Sequence, residues 1–320
     1  MSTLDWDGIV NALQGADRIA IACHVNPDGD ALGSLLAAHL GLSQLGKKTH
    51  PTWSASNVDL PDAYRFLPGG DALCEVDALP TVDTFLALDC GDAERLGDLE
   101  KKAISAPTLI NIDHHPGNSE FGTLNYVDPS ASSTAELVAT LLQRLGVKVD
   151  LDIATCLYVG VVTDTGRFQY SNSRPETLRL AADLLSYGVD APGIALEVFE
   201  SAPFGYLKLL GRVLERATLF ENERLVCSWI TQADLKEFDV GMDETDKLVD
   251  MVRSTRAADV TVMFKEQDDG RWRVSLRSKG PSVGAIARAH GGGGHELAAG
   301  FTADDRDAAI ADIRAELGAG

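Results

Sequence analysis

Three short apolar segments among the first 113 residues each end at, or are followed directly by, an aspartate or a histidine. They are residues 18–23 (RIAIAC), 84–89 (TFLALD) and 107–113 (PTLINID). Three other segments have apolar residues spaced as on one face of a helix, at residues 30–46, 134–146 and 151–166. Apolar strands that alternate with helices predict a mostly parallel α/β sheet. In such a sheet the loops after the strands lie along one edge, where ligands usually bind.

The length and the composition fit two domains of this class. The chain has 320 residues, of which 45% are hydrophobic, so each of two domains can bury a core. We predict an α/β domain with a parallel sheet over residues 1–187 and a smaller α/β domain over residues 223–320. Residues 175–220 have an almost wholly helical pattern, which predicts a helical linker over residues 188–222.

The loop after the first predicted strand has the sequence HVNPDGD, from His24 to Asp30. His24, Asp28 and Asp30 offer one nitrogen and two carboxylates, and the spacing of the two aspartates can aim each at a different cation. The alternative is a polar turn in which Asp30 caps the following helix. The residues by themselves leave both interpretations open.

Three further motifs place acidic and histidine residues at the same predicted edge. Asp89 ends the second apolar strand, the triplet Asp113-His114-His115 ends the third, and Asp164 follows an apolar helix. As single residues, Asp89 and Asp164 also fit capping or turn positions. The triplet is more specific, because the chain has only 7 His among 320 residues.

The combined set predicts a binding site for two divalent cations. Asp28, Asp30, Asp89 and Asp164 together carry four negative charges when ionised, which two divalent cations would neutralise. Imidazole and carboxylate ligands suit Mn²⁺ or a related divalent ion. The 5 cysteines form no C-x-x-C pair, so neither a disulfide framework nor a cysteine-based zinc site is predicted.

The second domain carries a basic segment that precedes a run of glycines. Residues 251–290 hold eight basic and four acidic side chains, with strands predicted near 258–265 and 271–277 and a helix over 283–290. Four glycines, predicted as a loop, and His295 follow. Consecutive glycines let backbone N–H groups approach a phosphate, so we expect anion binding here, although a flexible loop is the alternative.

The overall charge limits the kind of partner. With 28 Lys+Arg against 48 Asp+Glu, the net charge of −20 argues against binding of long duplex nucleic acid, but not against a small anionic substrate. The sequence has no run of about 18 apolar residues and no leader pattern at its start. We therefore expect a cytoplasmic protein that does not bind membranes.

Taken in order, these motifs resemble the DHH phosphoesterase superfamily, DHHA1 branch. The resemblance rests on HVNPDGDALGS, LDCGD, the D-H-H triplet, VVTDTGRF and GGGHELAAG, which span nearly the whole chain. Within the superfamily, the chain is most similar to the bifunctional oligoribonucleases and pAp phosphatases, some of which act on cyclic dinucleotides or their linear products. The resemblance implies a DHH catalytic domain followed by a DHHA1 substrate-binding domain.

The resemblance also implies a role for each motif residue. One cation would be held by His24, Asp28 and Asp89, and the other by Asp30, Asp89, His114 and Asp164. Asp89 would bridge the two cations, His115 would contact the scissile phosphoryl group, and Asp113 would fix a histidine tautomer. The residues implied to bind substrate are Arg277, Ser278, Gly293, Gly294 and His295.

The expected function is therefore hydrolysis of short oligoribonucleotides, including linear dinucleotides such as pApA, to nucleoside monophosphates, and of pAp to AMP and phosphate. The expected cofactors are two Mn²⁺ ions, or Co²⁺ or Mg²⁺ in their place, and the expected assembly is a homodimer. The alternatives are a cyclic di-AMP phosphodiesterase, a manganese pyrophosphatase, a single-strand exonuclease and an inert binding protein with the same fold. A pyrophosphatase would carry a different C-terminal domain, and a processive exonuclease would be longer.

Overall fold

The computed structural model describes residues 6–318, which form two compact units divided between Ser201 and Ala202. We call them unit 1 and unit 2. The division falls inside the predicted linker, residues 188–222, while residues 1–5 and 319–320 of the predicted domains lie outside the described residues. Among the described residues, every helix is too short or too polar to cross the hydrocarbon core of a bilayer.

The described part of unit 1 contains a five-stranded sheet in which all neighbouring strands are parallel, in the order β2-β1-β3-β4-β5. The strands are β1 (Arg18–Ala22), β2 (Lys48–Thr52), β3 (Thr84–Leu88), β4 (Thr108–Asp113) and β5 (Leu124–Val127). The parallel α/β fold predicted for this part of the chain is confirmed. Strand β2 escaped prediction because it is polar and contains Pro51, which a sheet tolerates at its edge.

Helices cover both faces of this sheet. They are α1 (Trp6–Gly15), α2 (Gly29–Gln44), α3 (Glu100–Ile104), α4 (Thr134–Arg144), α5 (Leu151–Asp164), α6 (Pro175–Leu185) and α7 (Ala191–Phe199), with 3₁₀ helices at Asp62–Tyr64, Gly70–Ala72, Val76–Ala78 and Ala93–Leu99. Side chains of α2, α4 and α5 pack on Ile19, Leu86 and Ile110 of one sheet face. The other face, which includes Phe85, is covered by residues of the 3₁₀ helix Ala93–Leu99 and of α3.

The strand order creates a crevice at the carboxyl edge of the sheet. The connection after β1 leads to β2 on one side, whereas the connection after the neighbouring strand β3 leads to β4 on the opposite side. Loops that depart in opposite directions from two neighbouring strands leave an opening between them, where open α/β sheets bind ligands. His24 follows β1 and Asp89 follows β3, so both candidate residues stand at this switch point.

Helices α2 and α5 cross at unusually short range because glycines stand at the crossing. A Cβ atom at Gly33 would lie 2.4 Å from the carbonyl oxygen of Cys156 and 2.9 Å from the backbone nitrogen of Gly160. Real Cβ atoms do not approach backbone atoms this closely. The crossing brings the start of α2, which carries Asp30, close to α5, which ends at Asp164.

Unit 2 contains a six-stranded mixed sheet in its described part, in the order β10-β11-β9-β8-β7-β6, with only β7 and β8 parallel. The strands are β6 (Thr218–Phe220), β7 (Leu225–Ile230), β8 (Val260–Glu266), β9 (Trp272–Ser278), β10 (Gly293–His295) and β11 (Ala298–Ala303). The helices are α8 (Phe204–Arg216), α9 (Gln232–Phe238), α10 (Leu248–Arg253), α11 (Val283–Ala289) and α12 (Arg306–Gly318), with a 3₁₀ helix at Asp243–Thr245. The second α/β domain is thereby confirmed.

One prediction about unit 2 is wrong in detail. The glycine run was expected to be a loop, but Gly293 to His295 form the edge strand β10, which pairs with β11. Gly294 has φ +126°, and a Cβ atom there would lie 2.6 Å from the carbonyl oxygen of Ala298. Glycine is therefore needed for this strand to approach its neighbour, a requirement that composition alone does not reveal.

Replacement of Gly33 by Ala is expected to destabilise unit 1 by about 1–3 kcal/mol, because the added methyl group overpacks the crossing of α2 and α5. Urea unfolding of the purified variant measures this change. Gly15→Ala is the matched control, since a Cβ atom at Gly15, the last residue of α1, meets no atom within 4 Å. Equal stability of the two variants would contradict the close crossing.

Candidate metal centre

His24 and Asp28 lie in the loop between β1 and α2. The Nδ1 atom of buried His24 donates to the carbonyl oxygen of Val25 at 2.8 Å, which leaves Nε2 to face the crevice. This Nε2 atom is 3.5 Å from Oδ2 of Asp89 and 4.0 Å from Oδ1 of Asp28. Burial lowers the pKa of His24, but the nearby carboxylates of Asp89 and Asp28 outweigh this effect, so the pKa is raised.

The helix cap falls on a different aspartate from the one considered in the sequence. Asp28 caps α2, because its Oδ1 accepts the backbone N–H groups of Asp30 and Ala31 at 3.0 and 3.1 Å. Asp30 lies inside the first turn of α2 and is 1% exposed. The capping alternative for Asp30 is therefore wrong, since this carboxylate points away from its own helix end.

The carboxylate of Asp30 is held by the N-terminus of α4. Its Oδ2 accepts the N–H of Thr134 at 2.7 Å, and its Oδ1 accepts the N–H of Ala135 at 2.9 Å and the hydroxyl of Ser34 at 3.3 Å. Burial, together with the charges of Asp89 and Asp164, still raises the pKa of Asp30 well above its usual value. Positive charge is needed beside this carboxylate to keep it ionised.

Asp89 occupies the centre of the cluster. It follows β3, adopts φ +60° and is 3% exposed. Its two oxygens face different histidines, because Oδ2 lies 3.5 Å from Nε2 of His24 and Oδ1 lies 3.7 Å from Nε2 of His114. Burial raises the pKa of Asp89, but the close contact with His24 and the charges of the neighbouring histidines lower it by more, and the net pKa is far below the usual value.

His114 faces three carboxylates at once. Its Nε2 atom is 3.8 Å from Oδ2 of Asp30, 3.7 Å from Oδ1 of Asp89 and 3.6 Å from Oδ2 of Asp164. Asp164 is the last residue of α5 and is fixed by Asn172, whose side-chain amide lies 3.3 Å from its Oδ2 and 3.1 Å from its carbonyl oxygen. Four residues from four different segments thereby meet at one point.

His115 points differently from His114 and forms a chain of hydrogen bonds. Its Nδ1 donates to Oδ1 of Asp113 at 2.8 Å, and the side-chain amide of Asn118 donates to Oδ2 of Asp113 at 2.7 Å. Asp113 is fully buried, whereas His115 is 31% exposed at its side chain. Burial alone would lower the pKa of His115, but the bond with Asp113 and the charge of Asp89 raise it to about 10.

These distances fit cations placed between the ligands better than direct hydrogen bonds. The separations of 3.5–4.0 Å exceed hydrogen-bond length. Two ligands that are each about 2.0–2.2 Å from one ion lie roughly 3–3.5 Å apart, so small adjustments suffice. We call His24, Asp28 and Asp89 the first cluster, and Asp30, Asp89, His114 and Asp164 the second cluster. Asp89 belongs to both.

Asp89, Asp113 and His115 also lie close enough together to hold a cation, but the hydrogen bond between Asp113 and His115 argues against a cation there. Their 2.8 Å hydrogen bond uses the Nδ1 atom of His115, so this atom is engaged with a proton rather than free for a cation. Asp113 thereby holds the charged ring of His115 beside Asp89, the carboxylate that both clusters share. The arrangement can therefore hold cations in two clusters and present one protonated imidazole beside them.

Unit 2 brings two of its predicted binding residues, Arg277 and His295, together across neighbouring strands. Ala298 of β11 pairs with Arg277 of β9 on one side and with His295 of β10 on the other. Directly paired residues share a sheet face, so Arg277 and His295 flank the small side chain of Ala298. The Arg277 guanidinium lies 3.6 Å from Asp250 Oδ1 and donates to the carbonyl oxygen of Leu276.

Ser278 does not join this face. It follows Arg277 in β9, is fully buried, and its hydroxyl accepts the N–H of Gly280 at 3.0 Å. Successive strand residues point to opposite faces. Its side chain therefore stabilises the turn after β9.

Sequence reasoning missed the residues that hold the clusters in place. Thr134, Asn118 and Asn172 each contact a candidate aspartate, at separations of 45, 5 and 8 residues in sequence. From sequence alone, residues 132–134 (SST) indicate only that a helix starts there. Their proximity to the strand ends is set by packing of α4 and is not encoded in a local pattern.

Family models and curated relatives match most of the chain. The family model "DHH family, N-terminal domain" matches residues 18–161, and the "DHHA1 domain" model matches residues 222–319. A bifunctional oligoribonuclease and PAP phosphatase NrnA of Thermus thermophilus is 37% identical over 297 residues, which cover 92% of this chain and 86% of that protein. A protein of the same name from Bacillus subtilis is 32% identical over 314 residues, or 95% of this chain and 96% of that one.

A solved structure is similar to this chain over nearly its whole length. It is described as an exopolyphosphatase-related protein from Bacteroides fragilis, has a TM-score of 0.88 and is 27% identical. The match covers 98% of this chain and 95% of that chain.

Asp113→Asn is expected to lower the pKa of His115 in the metal-free protein, because a neutral amide no longer stabilises the imidazolium. NMR titration of the histidine ring protons in EDTA measures it. A raised folded-state pKa stabilises the fold fully below the unfolded value of about 6.5, and this contribution is lost as the pH rises through about 10. The ionised Asp113 has a lowered pKa, so its contribution is lost in acid.

The stability difference between wild type and Asp113→Asn should therefore be largest between about pH 4 and 6.5 and should shrink on both sides. His39, whose pKa is lowered by burial, is the internal control and should titrate as in wild type. An unchanged titration of His115 would contradict the pairing with Asp113.

Proposed function

This chain belongs to the DHH family of phosphoesterases and carries a DHHA1 domain, and from that premise we propose that it hydrolyses short oligoribonucleotides to mononucleotides and pAp to AMP and phosphate. The names of the two relatives support both activities, and their matches extend over most of each chain. Small anionic substrates are compatible with a net charge of −20, because they need few basic contacts.

The position of Asp89 between His24 and His114 is the observation that carries this proposal. Its two oxygens face the two clusters separately, as a carboxylate that bridges two cations does. We propose that the first cluster holds one cation and the second cluster the other. Cations bound there would activate water and neutralise the charge on the phosphoryl group.

Mn²⁺ is the cation that the ligand types favour. Each cluster combines imidazole nitrogen with carboxylate oxygen, and neither includes a thiolate. Carboxylates suit Mg²⁺ and Mn²⁺, whereas imidazole suits the transition metals, so a mixed set favours Mn²⁺, with Co²⁺ and Mg²⁺ as weaker substitutes. The raised pKa of Asp30 supports a need for cations, because this buried carboxylate lies within reach of two other negative charges.

His115 is the residue that we propose to contact the scissile phosphoryl group. With its Nδ1 proton held by Asp113, it can donate its Nε2 proton to a phosphoryl oxygen, and its partial exposure leaves it accessible to substrate. Asp113 keeps the ring charged and fixes its orientation, while Asn118 fixes Asp113. A charged donor beside the phosphorus stabilises the negative charge that develops there.

Unit 2 supplies the proposed contacts to the nucleotide portion of the substrate. Arg277 and His295 lie on one sheet face with Ala298 between them, which leaves room above the small side chain. The backbones of Gly293 and Gly294 at the sheet edge have no side chain to block a close approach. For Ser278 a substrate contact rests on the resemblance alone, because its hydroxyl is engaged with Gly280.

A panel of substrates with Mn²⁺ tests the proposed function, with separation of the products by chromatography. We expect turnover of RNA dinucleotides and pAp, and loss of turnover in EDTA. Cyclic di-AMP, pyrophosphate and long single-stranded RNA are the comparison substrates. Turnover of pyrophosphate alone, or full activity in metal-stripped protein, would overturn the proposal.

Asp89→Asn is expected to abolish this turnover and to weaken the binding of both cations, because the amide cannot serve two cations as a carboxylate does. We expect the loss to exceed the roughly 10–100-fold cost of removing an outer partner of a ligand. Asparagine tolerates the left-handed backbone at this position, so the fold should persist. Calorimetric titration with Mn²⁺ and turnover of pAp measure the two effects.

Asp92→Asn is the matched control, three residues further on. Asp92 caps the following 3₁₀ helix through its contact with the N–H of Arg95, and asparagine caps equally well. The control should bind Mn²⁺ and turn over pAp as wild type does. Wild-type turnover in Asp89→Asn would show that the bridge is wrongly assigned.

Arg277→Ala is expected to raise KM for dinucleotides and pAp while the metal content stays unchanged. Loss of one charge-assisted contact of about 1.5–3 kcal/mol corresponds to a roughly ten- to hundredfold lower kcat/KM. Hydrolysis of bis-p-nitrophenyl phosphate, which lacks a nucleotide, should change much less. The matched control is Arg271→Ala, because Arg271 is an exposed arginine of the same segment that pairs with Asp269.

Equal losses on the nucleotide and the generic substrate would contradict this role of Arg277 and would indicate a contribution to the catalytic centre. No loss on either substrate would place the binding face elsewhere.

A further inference from the structure

The hydroxyl of Thr134 contacts the carboxylate that the two clusters share. Thr134 is the first residue of α4 and is fully buried. Its Oγ1 donates to Oδ1 of Asp89 at 2.9 Å, and its backbone N–H donates to Oδ2 of Asp30 at 2.7 Å. One residue thus binds a carboxylate of each cluster, 45 and 104 positions away in sequence.

The helix itself does not need this hydroxyl. Ser133 is the N-cap of α4, and its hydroxyl accepts the N–H of Glu136 at 3.2 Å. Thr140 and Thr163, which lie further inside helices of unit 1, donate instead to a carbonyl oxygen of the preceding turn, on Glu136 and Val159 respectively. Thr134 is the first residue of α4 and has no preceding helical turn, and its hydroxyl is directed at a side chain outside its own helix.

We propose that Thr134 is a positioning residue that fixes the orientation of the Asp89 carboxylate so that each oxygen faces one cluster. The inference rests on the proposed function, because it assigns Thr134 a role in the binding of the two cations. The bond occupies one lone pair of Oδ1 and leaves the other directed toward His114, while Oδ2 stays directed toward His24.

Rotation of the carboxylate is what the hydroxyl prevents. The terminal torsion of an aspartate is broad, so the side chain can turn without large strain unless a partner holds it. A turned carboxylate would present its oxygens unequally to His24 and His114 and would be a poor bridge between the two proposed cations. Partners of this kind commonly change metal affinity or activity by about 10–100-fold when they are removed.

Substitution can isolate the hydroxyl from the backbone contact. The N–H of residue 134 is present in every variant, so the bond to Asp30 and the cap by Ser133 remain. Thr134→Val replaces the hydroxyl with a methyl group of similar size, and Thr134→Ser keeps the hydroxyl without the methyl group. The pair separates the hydrogen bond from packing.

The test measures Mn²⁺ binding by calorimetry, metal content after gel filtration, and turnover of pAp. Thr134→Val is expected to bind at least one of the two Mn²⁺ ions about 10–100-fold more weakly and to lose turnover at Mn²⁺ levels that saturate wild type. Thr134→Ser should recover both. Thr140→Val is the matched control on the same helix, because its hydroxyl bonds only within α4, and it should match wild type.

Wild-type Mn²⁺ affinity and turnover in Thr134→Val would overturn the inference, as would equal losses in Thr134→Ser and Thr134→Val. If Thr134→Val does not fold by circular dichroism in EDTA, the comparison of Thr134→Ser with Thr134→Ala decides by the same criteria. Failure of the wild type to bind two cations or to hydrolyse pAp would instead overturn the proposed function. The wild-type measurements therefore distinguish the two failures.

Discussion

The crowding of buried carboxylates at one edge of a sheet is the constraint on which the rest of unit 1 depends. Asp30, Asp89 and Asp113 are each at most 3% exposed, and burial of an ionised carboxylate costs several kcal/mol unless partners compensate for the lost water. Here the partners are three imidazoles, the hydroxyl of Thr134 and the backbone N–H groups at the start of α4. The compensation is incomplete for Asp30, whose pKa remains raised, and proposed cations would complete it.

The fold brings these groups together by two geometrical devices. The order of strands opens a crevice between β1 and β3, so the residues that follow these strands, His24 and Asp89, face each other. The close crossing of α2 and α5 brings the start of α2 near α5, and Asp30 and Asp164 then meet at His114. Each contributing segment is a loop or a helix end on a rigid framework, which suits a site that must hold ligands to within a fraction of an ångström.

Much of this arrangement could be predicted from sequence because the informative residues follow strands directly. Apolar segments of strand length fix where the carboxyl edge lies, and the residues at that edge, from His24 to Asp164, could be named without a structure. The edge strand β2 was missed because the polar sequence of Lys48–Thr52 carries no strand signal, and β10 because glycine predicts loops. Ser278 could not be separated from Arg277, since strand register decides which face each side chain takes.

The positioning residues show a different limit. Thr134 contacts Asp89, 45 residues away in sequence, and tertiary packing sets this contact. Asn118 contacts Asp113, 5 residues away, and the conformation of the loop after β4 sets this one. The sequence also leaves the role of an aspartate near a helix start ambiguous, because helix capping and metal ligation use the same residue type at the same positions. The structure resolves it at α2, where Asp28 caps the helix with one oxygen while Asp30 turns toward α4.

The most direct test of the account is a crystal structure of the protein soaked in Mn²⁺, with the ions located by anomalous scattering. The account predicts two ions about 3.5–4 Å apart, with one Asp89 oxygen on each ion, His24 on the first and His114 on the second. A single ion, or two ions neither of which contacts Asp89, would contradict it.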